Sequence, residues 1–114
     1  MRVLIKIFKA LSDPNRLRIV KMLQIRPLCV CEITAVLNLS GSTASKHLSI
    51  LRDAELILDE KQGKWVSYRL NPTHAQKYVG ELLPLLAQWL PNEKIILNDA
   101  EAVKRVDRYL LQAA

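Results

Sequence analysis

CVCEITAVLNLSGSTASKHLSILRDA, residues 29–54, decides the fold. Ile33 and Leu37 stand four residues apart on one helical face with Val36 beside them, and Asn38-Leu39-Ser40-Gly41 interrupts that pattern. Either Ser40 or Ser42 can cap a second helix. The second helix places Ala44, Leu48 and Leu51 on a buried stripe. Ser42, Thr43, Ser45, Lys46 and His47 face the other way, and no carboxylate appears before Asp53. Hydroxyls, an amine and an imidazole on one face can reach base edges and phosphates in a major groove. The spacing therefore predicts a helix-turn-helix over residues 30–54 that reads double-stranded DNA. Helix pairs joined by a short turn also occur in domains that bind no nucleic acid.

The segment that follows alternates. Val66, Tyr68 and Leu70 point one way and Trp65, Ser67 and Arg69 the other, after Leu56-Ile57-Leu58 and a polar stretch containing Gly63. This predicts a two-stranded β-hairpin over residues 56–70, with Gly63 in its turn. A tip carrying Lys61, Gln62 and Lys64 beside a helix-turn-helix has the character of a wing that lies on minor-groove phosphates. An ordinary surface hairpin is the alternative. Trp65 is expected to shield the hairpin base and to contact no base.

Upstream, residues 2–11 distribute Val3, Leu4, Ile5, Ile7, Phe8 and Leu11 around more of a helix than one packing face requires. Asp13 can cap the next helix, residues 14–25, with Pro14 at its first position. That helix is expected to bury Leu17, Ile19, Val20 and Leu23 and to leave Arg16, Arg18 and Lys21 toward solvent or phosphate. Downstream, residues 73–90 form a long apolar helix that Pro84 either kinks or divides. Asp99 is expected to cap a last helix running to about residue 112, after at most a short helical turn at 93–98. So much apolar helical surface on one small chain predicts a symmetric homodimer built on helices 2–11 and 73–90. Two readers held roughly 34 Å apart match one turn of duplex and a palindromic operator.

The chain's 114 residues are enough for one domain, 1–114, of ordinary globular composition. Its net charge of +6 is uneven: residues 1–72 carry twelve Lys/Arg against six Asp/Glu, and residues 73–114 carry five of each. The surplus thus lies around the proposed reader, which favours a polyanion such as nucleic acid over a basic surface kept only for solubility. No run approaches a membrane span and no leader-like segment precedes the first helical pattern, so a cytoplasmic protein that does not enter a membrane is expected. Phosphate-cradling glycine loops, paired carboxylates and a nucleophile paired with histidine are missing from the pattern, which predicts a protein that is not an enzyme.

Cys29 and Cys31 are the only cysteines. Thiolates select soft or borderline ions. Residues i and i+2 point about 200° apart on a regular helix, so a shared ion requires a distorted helix start. Such distortion would tilt the reader and lower DNA affinity by linkage. Glu32 is expected to face water or pair with a basic side chain. Two buried structural cysteines, a thiol-redox switch and a zinc site are the alternatives, zinc being short of ligands because His47 is assigned to DNA and His74 to the surface or packing.

The stretches FKALSDPNRLRIVKML (8–23), LCVCEI (28–33), SGSTASKHLSILRDAELI (40–57) and DEKQGKWVSYRLNP (59–72) resemble the ArsR/SmtB family of metal-responsive winged-helix repressors, most closely its arsenical-resistance members. The resemblance covers roughly residues 5–90. It implies a mainly α, winged helix-turn-helix fold with N- and C-terminal dimerisation helices. It also implies a homodimeric repressor that leaves its operator when trivalent arsenic or antimony, As(III) or Sb(III), binds cysteine thiolates as inducer. Cys29 and Cys31 match the first two ligands of the family site, and the third ligand position falls on Thr34, a hydroxyl in place of a thiolate. Two protein sulfurs with a small thiol or hydroxide would still make a three-coordinate centre. The zinc- and nickel-type site of the C-terminal helix is not expected, because residues 99–107 carry carboxylates and no histidine. A redox-responsive repressor and a winged-helix protein-interaction module without specific DNA are the competing functions.

Overall fold

Asp13 sets the first corner. Its carboxylate accepts the amides of Asn15 at 2.9 Å and Arg16 at 3.1 Å, with Pro14 at the first position of the helix it caps. The computed structural model describes residues 1–72 and 75–113. In chain order the elements are α1 (Arg2–Leu11), α2 (Pro14–Leu23), β1 (Leu28–Cys29), α3 (Val30–Leu37), α4 (Gly41–Asp53), β2 (Ile57–Gln62), β3 (Trp65–Leu70), α5 (Lys77–Gln88), α6 (Lys94–Arg105) and α7 (Arg108–Ala113).

The result is mainly helical with one antiparallel sheet, a winged helix-turn-helix as the sequence predicts. The wing differs in one respect: the sheet has three strands in the order β1-β3-β2, not two. Leu28 pairs with Tyr68 and Cys29 with Ser67, so a two-residue strand seals the inner edge of the hairpin. Two residues carry no period, which is why this strand has no sequence signature. Ser67, opposite Cys29 in this pairing, is buried, while Val66 on the other face is exposed. Gly63, at φ +60°, opens the two-residue turn between Gln62 and Trp65.

Ile7 of α1, Ile19 and Met22 of α2, Ile33 of α3, and Leu48 and Leu51 of α4 meet at the centre with Leu56, Ile57, Val79 and Val103. The predicted stripes of α3 and α4 are the faces that reach this core. Leu17, expected there, is only half-buried, and Met22 takes its place. Asn38 ends α3 in the left-handed region at φ +56°, which asparagine tolerates and which turns the chain sharply into α4.

Arg16, Arg18 and Lys21 are not held for solvent or phosphate. Arg16 donates from Nε to the Ala10 carbonyl at 2.7 Å, closing α1, and Lys21 donates to the Leu86 and Trp89 carbonyls at 2.9 and 2.8 Å, closing α5. Arg18 grips Asp99 through two bonds of 2.8 and 2.9 Å. Asp99 is therefore no cap. It lies mid-way along α6, a continuous helix from Lys94 that replaces the expected short turn, and the break instead falls at Val106-Asp107 before α7. Its partner lies 81 residues away, beyond any local pattern. Pro84 neither divides nor ends α5, which runs through it, and the helix expected over 73–90 is Lys77–Gln88, capped by Gln76, whose side chain accepts the Val79 amide at 2.9 Å. Among the described residues no helix is long and apolar enough to cross a membrane.

The Arg18–Asp99 pair is the main polar tie between α2 and α6, and both side chains are largely out of water. Asp99→Ala leaves a largely buried guanidinium with only the Asn15 side chain at 3.3 Å as acceptor and should lower unfolding free energy by about 3 kcal/mol. Urea denaturation followed by far-UV circular dichroism measures it, and a loss under about 1 kcal/mol would show the pair to be dispensable.

Candidate nucleic-acid interface and adjoining thiol pair

Ser40 starts α4 by accepting the Thr43 amide at 3.2 Å, and its hydroxyl meets that of Thr43 at 2.9 Å. Ala44, Leu48 and Leu51 turn inward, leaving Ser42, Thr43, Ser45 and Lys46 exposed along one side of the helix. Ser49 continues that side. It follows Ser42, Ser45 and Lys46 at the i, i+3, i+4, i+7 spacing, a signal the sequence already carries.

His47 is a correction. Its side chain is 15% exposed, its Nδ1 lies 3.2 Å from an Arg16 guanidinium nitrogen and 4.0 Å from Asp13, and it packs α4 against the start of α2. The reason is periodic: 44, 47, 48 and 51 form one helical face, so His47 belongs to the buried stripe. It braces the start of α2, while Ser42, Thr43, Ser45 and Lys46 stay exposed on the outer side of α4. His74 lies outside the described residues.

On the wing, Lys61, Gln62 and Lys64 are all exposed, but they are not equivalent. The Gln62 side-chain carbonyl accepts from Arg108 at 3.0 Å, and the Lys64 ammonium sits 4.8 Å from the centre of the Trp65 ring. The Arg108 guanidinium lies over the Trp65 ring at 4.4 Å, and Tyr109 meets that ring edge-on at 4.8 Å. Trp65 thus anchors the C-terminal helix to the wing and is not merely a cover.

Behind the reader lies the thiol pair. Cys29 is buried at the end of β1 and is the residue before the first turn of α3, at φ −84° and ψ 161°. Its extended backbone removes the expected helical opposition of the two cysteines. Its amide donates to Glu32 at 2.8 Å. Glu32 is itself buried and paired with Arg26 at 3.2 Å, so it does not face water. The Cys29 sulfur accepts from Arg108 at 3.2 Å. Arg108, 79 positions away, carries no sequence signal for this role.

Cys31 is half-buried in the first turn of α3. Burial, then the nearby Cys29 and Glu32 charges, push its thiol pKa up. Both cysteines are free thiols and border one open hollow of about 430 Å³, shared with Val30, Trp65, Val66 and Leu111. Thr34, at the third ligand position, donates its hydroxyl to the Cys31 carbonyl at 2.9 Å. Among the described residues no three His, Cys, Asp or Glu side chains converge as a metal-ion cluster. The residues present supply two soft donors and not three.

A groove-sized helix with a hydroxyl-and-lysine face, braced by a three-stranded wing, defines the winged helix-turn-helix transcription regulators. Residues 13–58 match the model of the bacterial regulatory proteins of the arsR family. The arsenic resistance transcriptional regulator ArsR2 of Pseudomonas putida is 38% identical over 102 residues, 89% of this chain and 86% of that protein. The chain belongs to the arsR family. The arsenical resistance operon repressor of Escherichia coli is 49% identical over 69 residues, 60% of this chain, and the match spans 59% of that protein's length. Among solved structures, HlyU from Vibrio cholerae superimposes with a TM-score of 0.66 at 31% identity, covering 76% of this chain and 90% of that one. The AntR antimony-specific transcriptional repressor does so with a TM-score of 0.57 at 25% identity, covering 72% and 71%.

Lys46 and His47, adjacent in sequence, should separate cleanly by experiment. Lys46→Ala should make the log–log salt dependence of duplex binding shallower by about 0.9 per phosphate contact removed. His47→Ala should leave that slope intact and cost about 1 kcal/mol of stability through its lost polar partners. Fluorescence anisotropy on a duplex selected from a random pool, at several salt concentrations, reads the first; urea unfolding reads the second. Equal slopes for wild type and Lys46→Ala would remove Lys46 from the interface.

Proposed function

We propose that this protein is a homodimeric transcriptional repressor that occupies operator DNA and is released when trivalent arsenic or antimony is held by the Cys29 and Cys31 thiolates. The observation that carries the reading is the position of Cys29. It closes the wing's inner strand opposite Ser67, precedes the first turn of the helix that supports the reader, and touches Arg108, which also holds Gln62 near the wing tip. A change of bonding at this one sulfur is therefore felt by both DNA-facing elements. The names of the arsenic-resistance relatives and of the antimony-specific repressor agree with a thiophilic inducer.

An inducer of this kind supplies a centre that bonds sulfur strongly and has no use for a guanidinium donor. Cys29 would exchange its Arg108 contact for that bond, freeing Arg108 from Gln62 and Trp65. Cys31 would have to turn toward the same point, straining the first turn of α3 against the Glu32–Cys29 amide bond. Either change shifts the wing and α4 relative to their twins, and operator affinity falls by the difference in inducer affinity between the bound and released shapes.

Pairing of two copies would use α1 and α5. Val3, Ile5 and Phe8 on α1, Leu85 on α5 and Trp89 just past its end are exposed. Phe8 and Leu11 share with Leu82, Leu86 and Trp89 an apolar hollow of about 420 Å³. A second copy laid across these faces would bury them and set the two readers one helical turn apart.

Two variants test the reading. Cys29→Ser/Cys31→Ser should bind operator within about threefold of wild type, a difference under about 1 kcal/mol, and should fail to release on adding arsenite under reducing conditions. Normal release by the double variant would place the sensor elsewhere. Release by peroxide with metals chelated, and none by arsenite, would make the signal oxidation. Leu85→Glu should convert the dimer to monomer in sedimentation velocity and abolish tight operator binding. Retention of a dimer would move the interface off α5.

A further inference from the structure

The wing tip carries a cation from elsewhere in the chain. Arg108, the first residue of α7, donates from Nη1 to the Gln62 side chain at 3.0 Å, and its guanidinium lies 4.4 Å from the centre of the Trp65 ring. Gln62 and Trp65 are the last pair of the hairpin before its Gly63-Lys64 turn. The Lys64 ammonium sits 4.8 Å from the centre of the same ring. Two cations that share one ring are separated by no more than about one Debye length, roughly 8–10 Å, and repel each other. Among the described residues neither forms an ion pair. Asp107 accepts the Tyr109 amide at 2.8 Å, and Glu32, across the hollow that Arg108 lines, is held by Arg26 and the Cys29 amide. Glu60, the next residue of β2 on the Gln62 face, makes no ion pair either.

The Arg108 guanidinium also keeps one donor edge open. Both of its hydrogen bonds, to Gln62 and to the Cys29 sulfur at 3.2 Å, leave from Nη1. Its Nε and Nη2 donate to no group among the described residues. That edge is the one with which Arg18 grips both oxygens of Asp99 in this same chain. It fits two oxygens of a phosphate as well as it fits a carboxylate. Held through Nη1 and by the ring, the side chain has little rotamer freedom left to lose when an anion arrives.

We infer that Arg108 is a phosphate contact of the wing, supplied by the C-terminal segment and held in place by Trp65 and Gln62; the inference deepens the DNA-binding half of the reading above and makes no use of the inducer. Its occupant is the sugar-phosphate backbone of the operator duplex, which relieves the repulsion between Lys64 and Arg108 and takes the open Nε–Nη2 edge. Any oxyanion could meet that edge, but a duplex engages the wing and the exposed side of α4 together. Arg108 lies outside residues 13–58, the part matched by the family model.

Fluorescence anisotropy of the reduced full chain, free of inducer, on a duplex selected from a random pool tests this across a salt series, with Arg108→Gln, Arg108→Lys and Lys46→Ala beside wild type. Arg108→Gln should weaken binding about tenfold or more and make the log–log salt slope shallower by about 0.9 per chain. Arg108→Lys should keep the wild-type slope and lose affinity through the missing fork. Single methylphosphonate substitutions, which neutralise one phosphate at a time, separate a direct contact from any loss of folded protein. At one position beside the half-site, neutralisation should weaken wild type about fivefold and Arg108→Gln less than about twofold. An Arg108→Gln slope equal to wild type, with Lys46→Ala shallower, would overturn the contact and leave the DNA reader standing. Equal weakening of wild type and Arg108→Gln at every neutralised phosphate would make Arg108 a positioning residue of the wing and overturn the contact too. Absence of salt-dependent duplex binding by wild type would remove the DNA-binding reading itself, and this inference with it.

Discussion

Glu32 is the constraint on which the thiol pair and its surroundings depend. Its buried carboxylate receives the Cys29 amide on one oxygen and Arg26 on the other. The same Arg26 nitrogen donates to the Val103 and Val106 carbonyls at 2.9 Å each, which closes the end of α6. One carboxylate thereby holds the start of α3, the end of β1 and the last turn of α6 in register. The chain leaving α6 at that point delivers Arg108 to the Cys29 sulfur. Buried ion pairs of this sort add little net stability compared with apolar packing, but removing one partner leaves an uncompensated charge. Their value here is positional, since they specify where a sulfur sits relative to the wing and the helix pair of the helix-turn-helix.

The basic surplus divides into two populations with different physics. Arg16, Arg18, Lys21 and Arg26 are engaged with helix-end carbonyls or buried carboxylates, where a cation offsets unpaired carbonyls and the negative end of the helix dipole. Lys46 and Lys61 project outward on the reader and the wing. The Arg18–Asp99 and Arg26–Glu32 pairs cancel within the formal charge of +6, so the surplus is carried by the other basic side chains. The winged fold joins its helices by short links, and cations from α2 close the ends of α1 and α5.

The apolar exposure is divided in the same way. Trp65 is covered by Arg108 and Tyr109 and partly by Lys64, so the C-terminal helix finds a seat on the wing. The outer faces of α1 and α5 have no such cover among the described residues of one chain. In the proposed dimer that surface becomes the axis about which the two readers are fixed. Strain at Cys29 would then alter the distance between readers as well as the shape of each. Small shifts matter in such an arrangement, because a duplex presents its half-sites at a set spacing.

Local pattern was sufficient wherever a residue's role depends on neighbours within about one turn. Ala44, Leu48 and Leu51, the Asp13-Pro14 corner, the Ser40 cap and the Gly63 turn all follow from spacing and side-chain chemistry, and with them the helix-turn-helix and wing. The same spacing also contained the inward turn of His47, since 44, 47, 48 and 51 share a face. Tertiary structure alone decided the rest. Asp99 is a buried partner of Arg18 and not a cap, Leu28–Cys29 is a strand because Tyr68 and Ser67 lie opposite, and Arg108 reaches Cys29 because α6 ends at Arg26. Each of these depends on a partner about 40 to 80 positions away. Periodicity records which face of an element is apolar, but it holds no record of which distant polar group will lie against that face.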